Sequence, residues 1–197
     1  EVDMLREGGI LAQVVTNSFL DAMTDTARSY ISERTKFLGA IRLPNNAFSK
    51  NAGTEVTTDL IFLQKRPESE WGSKASKAEA KAWIAIGKYV DSGGKTVALN
   101  QYFIDNPDMM LGDFGAFGTM YRPDATALVA KPGQNTGELL KSAVSKLPAN
   151  IYIDKSISNT SNMQDALVKT LQNPTVQEGG YFEDDGKLFQ RIKDIAG

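Results

Sequence analysis

Two of the side chains that most often do chemistry are missing: the 197 residues include no His and no Cys. Thiolate nucleophiles, disulfides, Cys/His zinc sites and the Ser-His-Asp arrangement are removed together. A carboxylate-only site for magnesium or calcium is what remains for a metal. The one tight acidic cluster is Glu183-Asp184-Asp185, before Gly186. Calcium loops space their oxygen ligands more widely and regularly. Asp-Asp-Gly between Gly180-Tyr181-Phe182-Glu183 and Lys187-Leu188-Phe189-Gln190 is hairpin chemistry, so the cluster predicts a turn and no metal site. The other stretch with the look of a ligand site is Gly112-Asp113-Phe114-Gly115-Ala116-Phe117-Gly118. A glycine-rich cofactor turn must follow a strand and open a helix, so that backbone N–H groups face the ligand. This one follows Asn106-Pro107 and precedes an expected hairpin, and it reads as a flexible or packed loop.

The elements around these residues are those of an ordinary globular chain, 41% hydrophobic and 23% charged. Ile10 to Thr16 is a short apolar run after Gly8-Gly9 and suits a buried strand. Met23, Ala27, Tyr30 and Ile31 recur at helical spacing and predict a helix over about 22–34. Residues 37–42 and 56–64 are two further strand candidates, separated by Leu43-Pro44-Asn45-Asn46, whose composition favours a turn. Glu1 to Glu7 reads as the tail of a helix that the chain enters part-way, closed by the two glycines.

After Lys65-Arg66-Pro67 the composition changes. Gly72 to Lys81 suits either a solvated linker or an exposed helix, Trp83 to Val90 a strand or a buried helix end, and Thr96 to Leu99 extended chain. Met120 to Arg122 and Ala125 to Ala130 flank Pro123-Asp124 and suggest a hairpin. Leu139, Leu140, Ala143, Val144 and Leu147 form one helical stripe; Met163, Ala166, Leu167, Thr170 and Leu171 form another. A strand–helix–strand order implies a sheet with helices packed on it.

The formal charge of −2 gives no basic surplus, and residues 1–66 hold eight basic and eight acidic side chains. A basic footprint is the usual first sign of a nucleic-acid binder, so any such surface has to be local. No apolar run approaches the roughly 18–20 residues of a membrane span, and no signal-peptide pattern opens the chain. The lack of cysteine is compatible with the cytoplasm, the expected location.

Four stretches within residues 8–66 together carry a family resemblance. They are Gly8-Gly9-Ile10-Leu11-Ala12-Gln13-Val14-Val15-Thr16-Asn17, the Arg28-containing helix, Leu38-Gly39-Ala40-Ile41-Arg42-Leu43-Pro44 followed by Phe48, and Gly53 to Arg66. They resemble the segment that follows the catalytic motif in adenine-N6 DNA methyltransferases, especially the large enzymes of phages and mobile elements. Asn100-Gln101-Tyr102-Phe103 with Asn106 to Gly112 resembles a stretch found after the methylase part of some methylase–helicase polypeptides.

The resemblance implies an α/β fold: the C-terminal half of a Rossmann-like S-adenosylmethionine-dependent methyltransferase sheet over residues 1–66, then a mixed α+β extension over 67–197. In such enzymes the target base is flipped into a pocket. An Asn/Asp-Pro-Pro-aromatic loop accepts hydrogen bonds from the adenine amine, and the amine attacks the cofactor methyl, so positioning and electrostatics supply most of the catalysis. Neither that loop nor the cofactor turn is in this chain, because Asn106-Pro107 and Asn173-Pro174 continue with Asp108 and Thr175. No catalytic, cofactor-binding or metal residue is therefore assigned.

Phe48 is the one site residue that carries over, as an aromatic near the flipped base, with Asn46 and Lys50 in the same loop; a core aromatic that pins the loop is the alternative for Phe48. The implied cofactor is S-adenosylmethionine for the parent enzyme, with none expected on this chain alone. The implied partners are DNA and the missing N-terminal half of the domain. The sheet edge at Ile10 to Thr16 would be occupied, either in a homodimer or by the extension folding back. A reading from another class is a non-enzymatic interaction module of a larger DNA-processing protein.

Overall fold

The computed structural model describes residues 1–49, 53, 55–118 and 125–152, and the backbone of strands 181–184 and 187–190. Residues 1–153 form one compact unit and residues 154–197 a second. The division expected at residue 66 falls inside the first unit. The architecture is mixed α/β with small antiparallel sheets. Among the described residues no helix is long and apolar enough to cross a membrane.

The principal sheet has three strands, β1 (Ile10–Thr16), β2 (Thr35–Leu43) and β3 (Thr58–Lys65), in the order β1-β3-β2. β3 pairs antiparallel with both neighbours, Val14 opposite Leu60 on one side and Ile41 opposite Leu60 on the other. β1 and β2 consequently run parallel to each other. They are joined by α1 (Ser18–Asp21) and α2 (Thr26–Arg34), a helical crossover of the kind parallel strands require. The three strands fall where the branched and apolar runs place them, within two residues at each end.

The expected helix over 22–34 starts later, at Thr26, and of its apolar stripe only Ile31 packs against the core cluster. Met23 lies between the two helices and is exposed, as are Ala27 and Tyr30, whereas Arg28 and Ser32 are buried. Arg28 goes inside because its guanidinium finds carbonyl acceptors there: Phe19 O at 2.9 Å, Ala22 O at 2.7 Å, and Ile84 O at 3.1 Å. A charged group whose donors are satisfied by carbonyl acceptors can occupy a core site that a periodicity argument reserves for carbon. At the start of the chain, the helix tail expected over residues 1–7 is a single 3-10 turn at Val2–Met4 that ends at Leu5 in extended conformation; Gly8, φ +73°, lies in a separate turn closed by the Gly9 N–H on Arg6 O.

Past residue 66 the chain stays on the same core. α3 (Lys74–Ile84) begins at Ser73, whose Oγ accepts from the Ser76 N–H. β4 (Ile86–Val90) and β5 (Thr96–Asn100) form a hairpin. Its turn is held by Asp91, which accepts from the Gly93, Lys95 and Ala116 amides. Those bonds, Ala116 first, pull the Asp91 carboxyl below the usual carboxylate range.

α4 (Gln101–Asp105), β6 (Asp113–Gly115), β7 (Ala127–Val129) and α5 (Thr136–Val144) complete the unit. β7 pairs antiparallel with β6, Leu128 opposite Phe114, and the hairpin expected around Pro123-Asp124 has its other arm in residues 120–122. Residues 119–124 lie outside the described ones. The glycine-rich 112–118 stretch contains the strand β6. In the second unit, β8 (Tyr181–Asp184) and β9 (Lys187–Gln190) pair antiparallel, as the Asp-Asp-Gly signal predicts. The second helical stripe, 163–171, lies outside the described residues.

The core joins both sides of residue 66. Phe37 of β2 stacks on Trp83 of α3 at 4.8 Å and meets Tyr102 of α4 edge-on at 5.0 Å. Leu20, Ile41 and Leu63 share one buried cluster with Leu99, Phe103, Phe114 and Leu128. A bulge beside Gly39 lets β2 bend against this packing. Gly39 has φ +144°, and a Cβ there would sit 2.6 Å from Leu147 Cδ2 and 3.1 Å from the Tyr102 hydroxyl. Gly39→Ala is expected to cost roughly 1–3 kcal/mol of stability from strain and overpacking. Urea denaturation would measure it, and a change within a few tenths would show that Leu147 yields freely.

Candidate functional site

Parallel strands joined by a helical crossover present their carboxyl ends on one side, the side where open α/β sheets hold ligands. Here β1 runs out into Asn17-Ser18, and β2 into Pro44-Asn45-Asn46-Ala47-Phe48. The loops are tied together across the end of β3. The Asn17 N–H donates to Thr57 O at 3.1 Å, and Val56 N–H to Asn45 O at 3.0 Å. β7 locks the same region, with Asn45 N–H donating to Leu128 O at 2.8 Å and Leu128 N–H to Thr57 Oγ1 at 2.9 Å.

Phe48 sits in this loop, half-buried and packed against the core cluster. Asn46 is exposed, and its carbonyl accepts from the Ser49 N–H and from Ser49 Oγ. Lys50 lies outside the described residues. Of the three residues expected near a flipped base, the described ones are an anchored aromatic and an exposed asparagine on the same turn.

Beneath these loops lies a buried charge cluster that no motif in the sequence announces. Arg42 and Asp59 stand opposite each other in the β2–β3 register, both fully buried. Arg42 Nε and Nη2 donate to the two Asp59 oxygens at 2.7 and 2.8 Å, and Nη1 donates to Asp21 Oδ2 at 2.8 Å. The guanidinium carbon lies 4.3 Å from the Phe103 ring centre and 5.2 Å from that of Phe114. Burial opposes the charge on Arg42, but attraction and hydrogen bonds from Asp59, then Asp21, outweigh it and raise its pKa further. Burial raises the Asp59 carboxyl in turn, against the pull of Arg42.

The network continues into the later part of the chain. Asp21 Oδ1 accepts from the Asn100 N–H at 3.1 Å, while Asn100 Nδ2 donates to Leu20 O and Trp83 O, both at 2.8 Å. Asn100 Oδ1 caps α4 through the Tyr102 N–H at 3.0 Å. Sealed from solvent, Arg42 ties β2 to β3 and to the end of α1, and Asp21 carries the network on to β5. The strands leading into the two loops therefore share one rigid support. Its only trace in the sequence is an Arg in one apolar strand and an Asp in another; the register alone makes them partners.

Other hollows lie elsewhere. An open cleft of about 660 Å³ is lined by residues 107–108, 110–112, 131–135 and a face of α5; another of about 360 Å³ lies between β2, α3 and Tyr102. Phe48 and Asn46 line neither. Among the described residues no group of three His, Cys, Asp or Glu side chains is placed to hold a metal ion. At the open side of the sheet, β1 pairs only with β3 among the described residues, and Val14 is half exposed. At the other edge of the sheet Met110 bridges β2 at Arg42, and the Leu111 N–H donates to Arg42 O at 3.0 Å. Compared with known protein families, curated proteins and solved structures, the chain matches none.

Proposed function

We propose that this chain supplies the last strands of a Rossmann-like methyltransferase domain that transfers a methyl group from S-adenosylmethionine to the N6 of adenine in DNA. The observation that carries the reading is the coincidence of motif and topology. The resembling segments fall in order on β1, the α2 crossover, β2 and β3, and β1 and β2 form a parallel strand–helix–strand unit. Such a unit is the building block of a doubly wound sheet.

In this reading the outer edge of β1 is where the strand carrying the catalytic loop pairs. β1 is uncharged along its length and unguarded by the lysines or prolines that protect natural edges. Phe48 stands beyond the carboxyl end of β2 and packs against the flipped adenine, where base–aromatic stacking is worth roughly 1–3 kcal/mol. The chain does not hold the cofactor by itself. Calorimetric titration of this chain with S-adenosylmethionine is expected to give no heat of specific binding; a low-micromolar Kd would sink the reading.

Phe48 supplies a second check. In the parent enzyme Phe48→Ala should reduce methyl transfer by roughly 10-fold or more, the equivalent of about 1.4 kcal/mol of missing stacking, while Phe48→Tyr keeps a ring face and most of the rate. Equal rates for the two variants would leave Phe48 as a core aromatic only.

A further inference from the structure

The flank of α2 that turns away from α3 is apolar and exposed. Arg28 and Ser32 are buried, and Arg28 donates to Ile84 O at the end of α3. Ile31 packs against the core cluster. At 3.6 residues per turn, Ala27 and Tyr30 lie about 120–180° round the axis from Arg28 and Ser32. Both are exposed, Tyr30 at 46%, and Met23 just ahead of the helix is 77% exposed. Arg34 covers one face of the Tyr30 ring at 3.7 Å. Three residues that periodicity assigns to a buried stripe thus stand on the surface together.

The chain enters β1 along this same flank. Val2 is buried, and its carbonyl accepts from Lys65 Nζ at 2.9 Å. Asp3 Oδ2 accepts from the Tyr30 hydroxyl at 3.1 Å, and Asp3 Oδ1 pairs with Arg34 Nε at 3.8 Å. Met4, next to them, is 88% exposed. A segment that precedes Glu1 therefore leads off beside Tyr30.

We infer that an amphipathic helix encoded immediately upstream packs on this flank, an inference that rests on the doubly wound reading above. In that reading a further strand lies beyond the free edge of β1 and runs parallel to it. The step from that strand to β1 crosses the sheet in the same direction as the step from β1 to β2. Parallel crossovers are right-handed, so both steps carry their helices on the same face of the sheet, the face of α1 and α2. α3 lies against β2, where Trp83 stacks on Phe37. The side of α2 opposite α3 accordingly points toward β1 and its free edge, and that side is the flank of Ala27 and Tyr30. Parallel strands need a connection of about a dozen residues or more, which is room for a helix. Ala27 allows close approach of its backbone, and Met4, Met23 and Tyr30 supply apolar surface around it.

The chain has no cysteine, so a single introduced thiol reports on its own position. Ala27→Cys and the control Lys77→Cys on α3 both sit at exposed positions, and both variants should unfold like the unaltered chain. Alkylation by iodoacetamide is followed by mass spectrometry of the peptide that carries the thiol. In a polypeptide that also carries the residues encoded immediately upstream, Ala27→Cys is expected to react roughly 10-fold more slowly than in this chain. Lys77→Cys should react equally in the two.

Equal reactivity of Ala27→Cys in both polypeptides would overturn the assignment. So would upstream residues with no apolar stripe at i, i+3 or i+4 spacing. Protection that appears in this chain alone and grows with its concentration would give the flank to a second copy, and would overturn it too. Methyl transfer is judged separately. A longer polypeptide that methylates adenine but leaves Ala27→Cys reactive loses only this surface; one that protects the thiol and transfers no methyl group keeps the surface and loses the methyltransferase reading.

Discussion

Arg42→Leu is expected to lower the free energy of unfolding by roughly 3–5 kcal/mol, because it leaves the buried Asp59 carboxylate without its partner. Asp59 is fully enclosed, and its two oxygens take their side-chain hydrogen bonds from one guanidinium. Asp21 is a lesser sufferer, since it lies nearer to solvent and still receives the Asn100 N–H. The double variant Arg42→Leu, Asp59→Leu removes charge and countercharge together and should recover much of the stability, as replacement of buried ion pairs by apolar residues often does. Urea unfolding of the two variants decides the matter. If the single variant is destabilised by less than about 1 kcal/mol, water reaches the cluster and the support described for the two loops is not rigid.

A chain that stops at Arg66 is expected not to fold at all. Its three strands would remain, but the side chains that cover them would be gone: Trp83, Leu99, Phe103, Phe114 and Leu128 all come from later in the chain. Each large side chain removed from a core of this kind costs roughly 2–5 kcal/mol, against a total stability of only about 5–15 kcal/mol for a domain. Arg28 would be deprived of the Ile84 carbonyl as well, and Arg42 of both its aromatic faces. Circular dichroism on heating should show no cooperative transition for residues 1–66, whereas residues 1–153 should melt in one step. A cooperative transition for the shorter chain would mean that the later residues are an appendage.

The parts of this structure that are legible in the sequence are those fixed by local chemistry. The branched run Ile10 to Thr16 can be little but a strand, and Asp-Asp-Gly between two apolar stretches can be little but a hairpin. Where partners are distant the sequence says less. Ala127–Val129 pairs with Asp113–Gly115 across an intervening segment. The α2 face departs from its apolar stripe because Arg28 is buried by carbonyls from α1 and from the end of α3, which no period of hydrophobicity encodes. Lysine and alanine over Gly72 to Lys81 satisfy linker and helix alike; α3 forms because Ser76, Ala80 and Trp83 find a core to enter.

The candidate site divides in the same way. Phe48 is visible in the sequence as an aromatic in a turn, and the structure places it at the carboxyl ends of the parallel strands, anchored to the core. The Arg42–Asp59–Asp21–Asn100 network that supports this end is invisible there, because it is a property of strand register and of a residue far along the chain. The boundary expected at residue 66 marks a real change in composition, but composition reports exposure to solvent and not where a core ends.

The most direct test of the methyltransferase reading is isotope-labelled methyl transfer to adenine-containing duplex DNA, comparing this chain with a polypeptide that also carries the residues encoded immediately upstream. The account predicts label in N6-methyladenine for the longer polypeptide, with an Asn/Asp-Pro-Pro-aromatic loop in its added part, and no label for this chain alone. A longer polypeptide that lacks such a loop and transfers no methyl group to any duplex would contradict it.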